Sequence, residues 1–238
     1  MARSNSTMKI LILSDIHANI EALRAVQESY DELWVLGDLV NYGPDPVDVV
    51  EWVWRRATLV VRGNHDHAVG LGLPPRCSAP FLHAARAMQT YTSSVLSHEQ
   101  KQYLSQLPTR LDREVDGVRF IACHAVPSEP LFRYCPPDSP WWPVIADDAP
   151  ADVILAGHTH LPFMRRFSGR LVVNPGSIGQ PKHGRAEACY AVWEDGRAEL
   201  RSTPYPVAET IRKLRMLDVD GTVIEQLAAV LQTGSPAS

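Results

Sequence analysis

Five short polar segments carry most of the side chains able to do chemistry: Asp15-Ile16-His17, Gly37-Asp38, Gly63-Asn64-His65-Asp66, His124 and Gly157-His158-Thr159-His160. Together they offer carboxylates, imidazoles and an amide carbonyl, and no thiolate. That mixed donor set suits Mn²⁺, Fe or Zn²⁺ better than Ca²⁺, and the missing cysteine argues against a structural zinc site. In extended backbone, residues i and i+2 point to the same side. Asp15 with His17, and His158 with His160, are each expected to reach a common centre on that ground. A carboxylate can give one oxygen to each of two cations, which makes Asp38 a candidate bridge. One histidine beside a strand is usually structural, but five segments placed alike are not independent accidents. His83 and His98 fall in helical stretches away from the cluster and read as structural or surface residues.

What must position these groups is a set of short strands. Apolar runs at 9–13, 33–36, 59–61, 118–123 and 153–156 each end at one of the polar segments. Strands joined by helices and ending in polar loops describe an α/β fold with its site at the carboxyl ends of the strands. Helices are expected over 19–29, from Pro46 to about 55, over 81–92, and after Ser97, where Gln100 completes a capping box. Hairpins are expected at Asp116-Gly117, Ser168-Gly169 and Asp195-Gly196. Proline-rich loops at 71–80 and 125–140 could wall a cleft, and Phe132, Tyr134, Trp141 and Trp142 would give it an aromatic surface. After Pro206 the pattern turns helical, with Asp220-Gly221 dividing two short helices. The expected organisation is a domain over 8–205 and a helical extension over 206–238, packed on that domain or at an interface.

Composition narrows the class. The chain has 238 residues, 45 % hydrophobic and 21 % charged, with a formal net charge of -4. That is enough apolar material for a sizeable core, and no basic excess calls for nucleic acid. Cys77, Cys123, Cys135 and Cys189 form no CxxC pair and no disulfide framework. Cys123 and Cys189 sit in apolar runs and read as buried thiols. No apolar run reaches the ~20 residues of a membrane span, and the first residues do not read as a signal peptide. The expected location is the cytoplasm.

Taken in order, the five segments resemble the calcineurin-like metallophosphoesterase superfamily. Asn174-Pro175-Gly176-Ser177-Ile178-Gly179 resembles its small bacterial and archaeal phosphodiesterase-like branch. The resemblance spans about residues 9–204 and implies a four-layer α/β/β/α sandwich with two mixed β-sheets. It also implies a dinuclear metal site at the strand ends. One metal would take Asp15, His17, Asp38 and His160, and the other Asp38, Asn64, His124 and His158. Mn²⁺ is the first expectation for both, with Fe, Zn²⁺, Ni²⁺ or Co²⁺ as alternatives. His65 matches the family's catalytic histidine, which is not a ligand. It would hydrogen-bond the substrate or, as an imidazolium, stabilise or protonate the leaving oxygen.

The mechanism implied is hydrolysis of a phosphoester by a hydroxide bridging two metals about 3.5–4 Å apart. Relatives that cleave monoesters or dinucleoside tetraphosphates carry an arginine where this chain has Tyr42, and phosphatases carry an aspartate where it has Asn41. A neutral tyrosine cannot replace a bidentate guanidinium on a dianion. Phosphodiesters are therefore the expected substrates, unless Arg62, Arg133 or Arg185 supplies the charge. The retained His65 keeps phosphomonoesters, nucleotides and phosphoproteins as the alternative. A non-catalytic scaffold of the same fold is the remote one. Tyr42, Asn41, His67 and His183 are the candidate substrate contacts. The expected partner is a small phosphoester, a nucleotide among the candidates, with no membrane or nucleic acid. A homo-oligomer stays open.

Overall fold

Residues 8–235 are described by the computed structural model of the chain. β1 (Ile10–Leu13) and β2 (Glu32–Val35) pair in parallel, with Leu11 opposite Leu33 and Leu13 opposite Val35. β3 (Leu59–Val60) continues the parallel run beside β2. β4 (Arg110–Val115) and β5 (Val118–Cys123) form a hairpin, and β6 (Val153–Leu155) lies parallel to β5. β7 (Phe163–Phe167) and β8 (Arg170–Asn174) form the next hairpin. β9 (Glu187–Glu194) returns antiparallel to β1 and turns into β10 (Arg197–Pro204). The result is two mixed five-stranded sheets, ordered β10-β9-β1-β2-β3 and β4-β5-β6-β8-β7.

Strand periodicity explains the layers. Ile10 and Ile12 of β1 face the second sheet, in a core shared with Trp34, Phe120, Ala122, Leu155, Val173 and Trp193. Phe120 meets Trp34 and Trp193 edge-on, with ring centroids 5.2 and 5.0 Å apart. Leu11 and Leu13 face the other way, onto Ile20 and Leu23 of α1 (Ile20–Ala25) and Val49, Val50 and Val53 of α2 (Pro46–Arg56). The outer face of the second sheet packs Ile121, Ile154 and Val172 under Trp142, Ile145 and Ala146. Those last three belong to α6 (Trp142–Asp148). Central strands covered on both faces need unbroken apolar runs, which is how they read in the sequence.

Along the chain, α3 (Asn64–Leu71), α4 (Ala79–Val95) and α5 (His98–Gln106) connect β3 of the first sheet to β4 of the second. At α5 the expected capping box is present: Gln100 N donates to Ser97 Oγ, and Ser97 N donates to Gln100 Oε1, each at 3.1 Å. Near the C-terminus, α7 (Val207–Leu214) and α8 (Gly221–Thr233) place Ile211, Leu227 and Leu231 in one core with Tyr42, Phe81, Ala84, Ala85 and Met88. Lys213 ties α7 to the N-terminal half of the chain through Glu21 and Asp45, 2.5 and 2.9 Å away.

Three local expectations fail, each for a tertiary reason. The first helix ends at Ala25 rather than near residue 29. Glu28 is drawn instead into bonds with the Tyr190 hydroxyl and Arg201, at 3.0 and 2.8 Å. The residues after β3 do not stay in a loop: α3 starts at Asn64, where the Asp66 carboxylate accepts from Gly63 N at 3.0 Å. Trp142 does not wall a cleft. It opens α6, is buried against Phe163, and donates through Nε1 to Pro136 O at 2.9 Å.

Candidate metal centre

The polar segments leave their strands in left-handed backbone. Asp15, His17 and Ala18 have φ of 53, 47 and 51°, Asp38 has 54°, and His158 and His160 have 67 and 60°. This region costs a non-glycine residue roughly 1–2 kcal/mol, so hydrogen bonds must hold it in place. They do: the amides of Asp15, His17 and Ala18 donate to the carbonyls of Gly37, Asp38 and Leu39 at 3.0, 2.9 and 2.8 Å. The i, i+2 rule for extended backbone therefore does not apply here. Asp15 and His17 still meet, but His158 and His160 part into different groups.

Those groups are Asp15, His17 and His160, and Asp38, His124 and His158, each with its ligand atoms within 4.8 Å of one another. Asp38 Oδ2 lies 3.3 Å from His124 Nε2 and 3.8 Å from His17 Nε2, so one carboxylate faces both groups. Asn64 joins the second through Oδ1, 3.0 Å from His124 Nε2. Its amide is turned that way because Nδ2 donates to Arg76 O at 3.1 Å.

Hydrogen bonding behind the ring decides which nitrogen each histidine offers. Nδ1 of His17, His124 and His160 faces the carbonyls of Val40, Leu36 and Gln180 at 3.2, 2.8 and 2.6 Å. A carbonyl only accepts, so each Nδ1 carries the proton and each Nε2 presents a lone pair. His17 Nε2 and His160 Nε2 then face each other across 3.2 Å. Asp15 Oδ1 points into the same space, buried and without a hydrogen-bond partner. Converging lone pairs and an orphaned carboxylate oxygen fit a cation. Asp15 Oδ2 is fixed by Ser14 Oγ and by His158 N, at 2.6 and 3.0 Å.

Charge in the cluster is strongly coupled. Burial disfavours charge on Asp38, yet the His124 and His65 rings hold its carboxyl well below the usual carboxylate range. Burial also disfavours charge on His124, but the Asp38 carboxylate pushes it up to about 9. Burial holds His158 down to about 3.

Asp66, given no role from sequence, is the brace of this loop. Its carboxylate accepts from the amides of Asp38, Leu39 and Gly63 at 2.8, 2.8 and 3.0 Å. Two glycines are dictated by contact. A Cβ on Gly63 would run into Asp38, and one on Gly157 into Ser14 Oγ.

His65, fully buried, sits beside the cluster at the start of α3. Asn41 Nδ2 donates to its Nδ1 at 2.8 Å and also to Ala85 O at 3.2 Å, which fixes the amide's orientation. Nδ1 therefore accepts, and the ring proton resides on Nε2. Burial favours the neutral ring, holding His65 down to about 4, and leaves Nε2–H as the group it can donate.

A cleft of about 780 Å³ opens over the centre, lined in part by Asp38, Tyr42, Asn64, His65, His158 and His160. Tyr42 stands against His65 and His17, with ring centroids 4.7 and 4.9 Å apart. Burial and the Cys77 thiol paired with its hydroxyl push it well above the usual phenol range. Of the loop aromatics, Phe132 and Tyr134 line the cleft and Trp141 does not. His67 is turned toward Phe132, 5.9 Å between centroids, outside the lining. His183 packs on Cys189 Sγ at 3.5 Å, and the residue of that loop that reaches the cleft is its neighbour Lys182. Asn41 touches His65 rather than the open space. The arginines considered from sequence are also elsewhere. Arg62 bonds Ser105 O at 2.5 Å, and Arg133 lies over Trp141. The cations that line the cleft are Arg76, Arg86 and Lys182, for which the sequence holds no motif.

Residues 8–195 match the model of the calcineurin-like phosphoesterase superfamily domain. An uncharacterized protein of Methanocaldococcus jannaschii is 31 % identical over 231 residues, which cover 86 % of this chain and 91 % of that one. The crystal structure of a metallophosphoesterase from Sphaerobacter thermophilus is 32 % identical, with a TM-score of 0.81 over 94 % of this chain and 99 % of that one. A hypothetical protein of Pyrococcus horikoshii OT3 shares the fold at 21 % identity, with a TM-score of 0.81 over 96 % and 99 % of the two chains. With nearly four-fifths of its length matched by the family model, and two candidate metal-binding groups at its strand ends, this chain belongs to the calcineurin-like phosphoesterase superfamily.

Proposed function

We propose that the chain hydrolyses phosphodiester bonds at a centre of two divalent cations, Mn²⁺ first among them. The observation that carries this reading is Asp38, whose Oδ2 stands 3.3 Å from one ligand group and 3.8 Å from the other, at the floor of an open cleft. Asp15, His17, Asp38 and His160 would hold one cation, and Asp38, Asn64, His124 and His158 the other. Bound there, the pair supplies Lewis acidity, which acidifies an attacking water and neutralises charge on the phosphoryl oxygens. The remaining work belongs to side chains. His65 offers its Nε2 proton as a hydrogen bond to the leaving oxygen, and Asn41 keeps that proton on the correct nitrogen. Tyr42 presents a neutral ring beside the centre, where a dianionic monoester would be better met by a guanidinium. That favours the singly charged diester.

A second reading, phosphomonoesters or nucleotides, is favoured by one observation: Arg76, Arg86 and Lys182 bring positive charge to the same cleft. The test is a paired assay of stripped and Mn²⁺-reloaded protein on bis-p-nitrophenyl phosphate and p-nitrophenyl phosphate. Metal-dependent preference for the diester supports the proposal. Preference for the monoester replaces it with the second reading, and metal-independent or absent turnover on both removes the hydrolytic role.

A further inference from the structure

Several surface cations of this chain are matched. Arg119 pairs with Asp152, Arg201 with Glu28 and Glu199, Arg212 with Glu209, and Arg215 with Glu225. The cleft is different. Among the described residues, no carboxylate lies within ion-pair distance of Arg76, Arg86 or Lys182. Asp38 is the one carboxylate in the cleft lining, and it faces both ligand groups of the metal centre.

Lys182 is the best held of the three. It is half-buried, with Nζ 4.8 Å from the centroid of Phe81. The backbone just before it is anchored, since Gln180 O accepts from His160 Nδ1 at 2.6 Å. Arg86 lines the same cleft, and both cations act on the Cys77 thiol. Arg76 lines it too, with its guanidinium 4.0 Å over Phe132. A half-buried ammonium has given up part of its hydration, and this one has no direct ion pair to replace it: the carboxylates that act on it, Asp15 and Asp38, both belong to the metal-ligand groups. A singly charged diester already neutralised by two cations does not need this surplus of positive charge.

We propose that Lys182, with Arg86 beside it, binds a second anionic group of the substrate, a phosphate that is not cleaved. The inference rests on the phosphoester reading above and deepens it: the natural substrate is a phosphoester carrying at least two phosphates. The exposed ring of Tyr134 gives the same cleft an apolar face suited to a flat organic body such as a nucleoside.

Two probes with the same scissile bond separate the idea from its alternatives: thymidine 5′-(p-nitrophenyl phosphate) and its 3′-phosphorylated derivative. The Mn²⁺-loaded wild type should favour the 3′-phosphorylated probe in kcat/KM by about tenfold, the worth of one charge-assisted hydrogen bond. Lys182→Met keeps the stem against Phe81 and should bring the ratio close to one, while Lys182→Arg should retain it. A wild-type ratio near one, or a ratio unchanged by Lys182→Met, overturns the proposal. Calorimetry gives the readout without turnover: thymidine 3′,5′-bisphosphate should bind wild type about tenfold tighter than thymidine 5′-phosphate, and Lys182→Met should abolish the difference. If neither probe is cleaved while that binding difference holds, the hydrolytic reading fails and the anionic subsite stands. If both are cleaved while the two thymidine phosphates bind equally, the subsite fails and the hydrolytic reading stands.

Discussion

Replacing Asn41 by aspartate should change the protonation of His65 without touching a metal ligand. In the wild type, Asn41 Nδ2 donates to His65 Nδ1 at 2.8 Å, and burial holds the ring down to about 4. An aspartate there can only accept, so the ring must carry its proton on Nδ1 or become an imidazolium. Opposite charges roughly 4 Å apart interact by about 4 kcal/mol at an effective dielectric constant near 20. At about 1.4 kcal/mol per pH unit, that is a rise of about three pH units, enough to bring His65 near neutrality. The substitution also turns a carboxylate oxygen toward Ala85 O, which now receives a proton from the amide at 3.2 Å. A stability loss of about 1–3 kcal/mol follows from that lost bond. The assay is a ¹H–¹⁵N imidazole titration of metal-stripped wild type and Asn41→Asp. The wild type should show the Nε2–H tautomer and stay neutral to about pH 4. Observation of the Nδ1–H tautomer in the wild type, or a rise below one pH unit in Asn41→Asp, would refute the reasoning.

Gly157→Ala places a methyl against Ser14 Oγ and 2.8 Å from Asp15 Oδ2, so bound metal measured by elemental analysis should fall while the rest of the fold persists. Asp66→Asn should cost about 2–6 kcal/mol in urea unfolding, because at least two buried amides lose their acceptor and meet an N–H instead. Metal-stripped protein should be most stable near pH 6.5. Below it the unfolded chain takes up protons that His65 and His158, held to about 4 and about 3, refuse in the folded state. Stability from these two is complete above 6.5 and is lost as the pH falls toward their folded values. His124, pushed up to about 9, works in the opposite sense: its contribution is complete below 6.5 and is lost as the pH rises through 9. Urea midpoints that change monotonically from pH 4 to 9 would contradict this assignment.

The strands and the polar segments that end them were legible in the sequence, because strands covered on both faces need continuous apolar runs. The donors at Asp15, His17, Asp38, Asn64, His124, His158 and His160 were legible as types in order. Their division into two sets came from the family resemblance and not from any local pattern. Left-handed φ at Asp15, His17, His158 and His160 depends on amides satisfied from neighbouring loops, which no local pattern records. Helix α6 was hidden because Pro143 and a preceding run of prolines read as loop, although a proline in the first helical turn is favourable. The cations of the cleft were hidden for another reason. Arg76, Arg86 and Lys182 come from three unrelated stretches, and only the fold makes them neighbours of one opening. His183 drew attention to the right loop, one residue away from the side chain that reaches inside.

The packing of α7 and α8 beneath Tyr42 and Phe81 has a consequence for how this enzyme class can diversify. The candidate metal donors stand at the ends of the strands and in their loops, whereas one wall of the opening leans on the last two helices. Repacking Leu227 or Leu231 would shift the wall through Phe81 and Tyr42. Drift in the C-terminal helices would therefore reshape the opening first, and would reach His17 and His65 only through the ring of Tyr42.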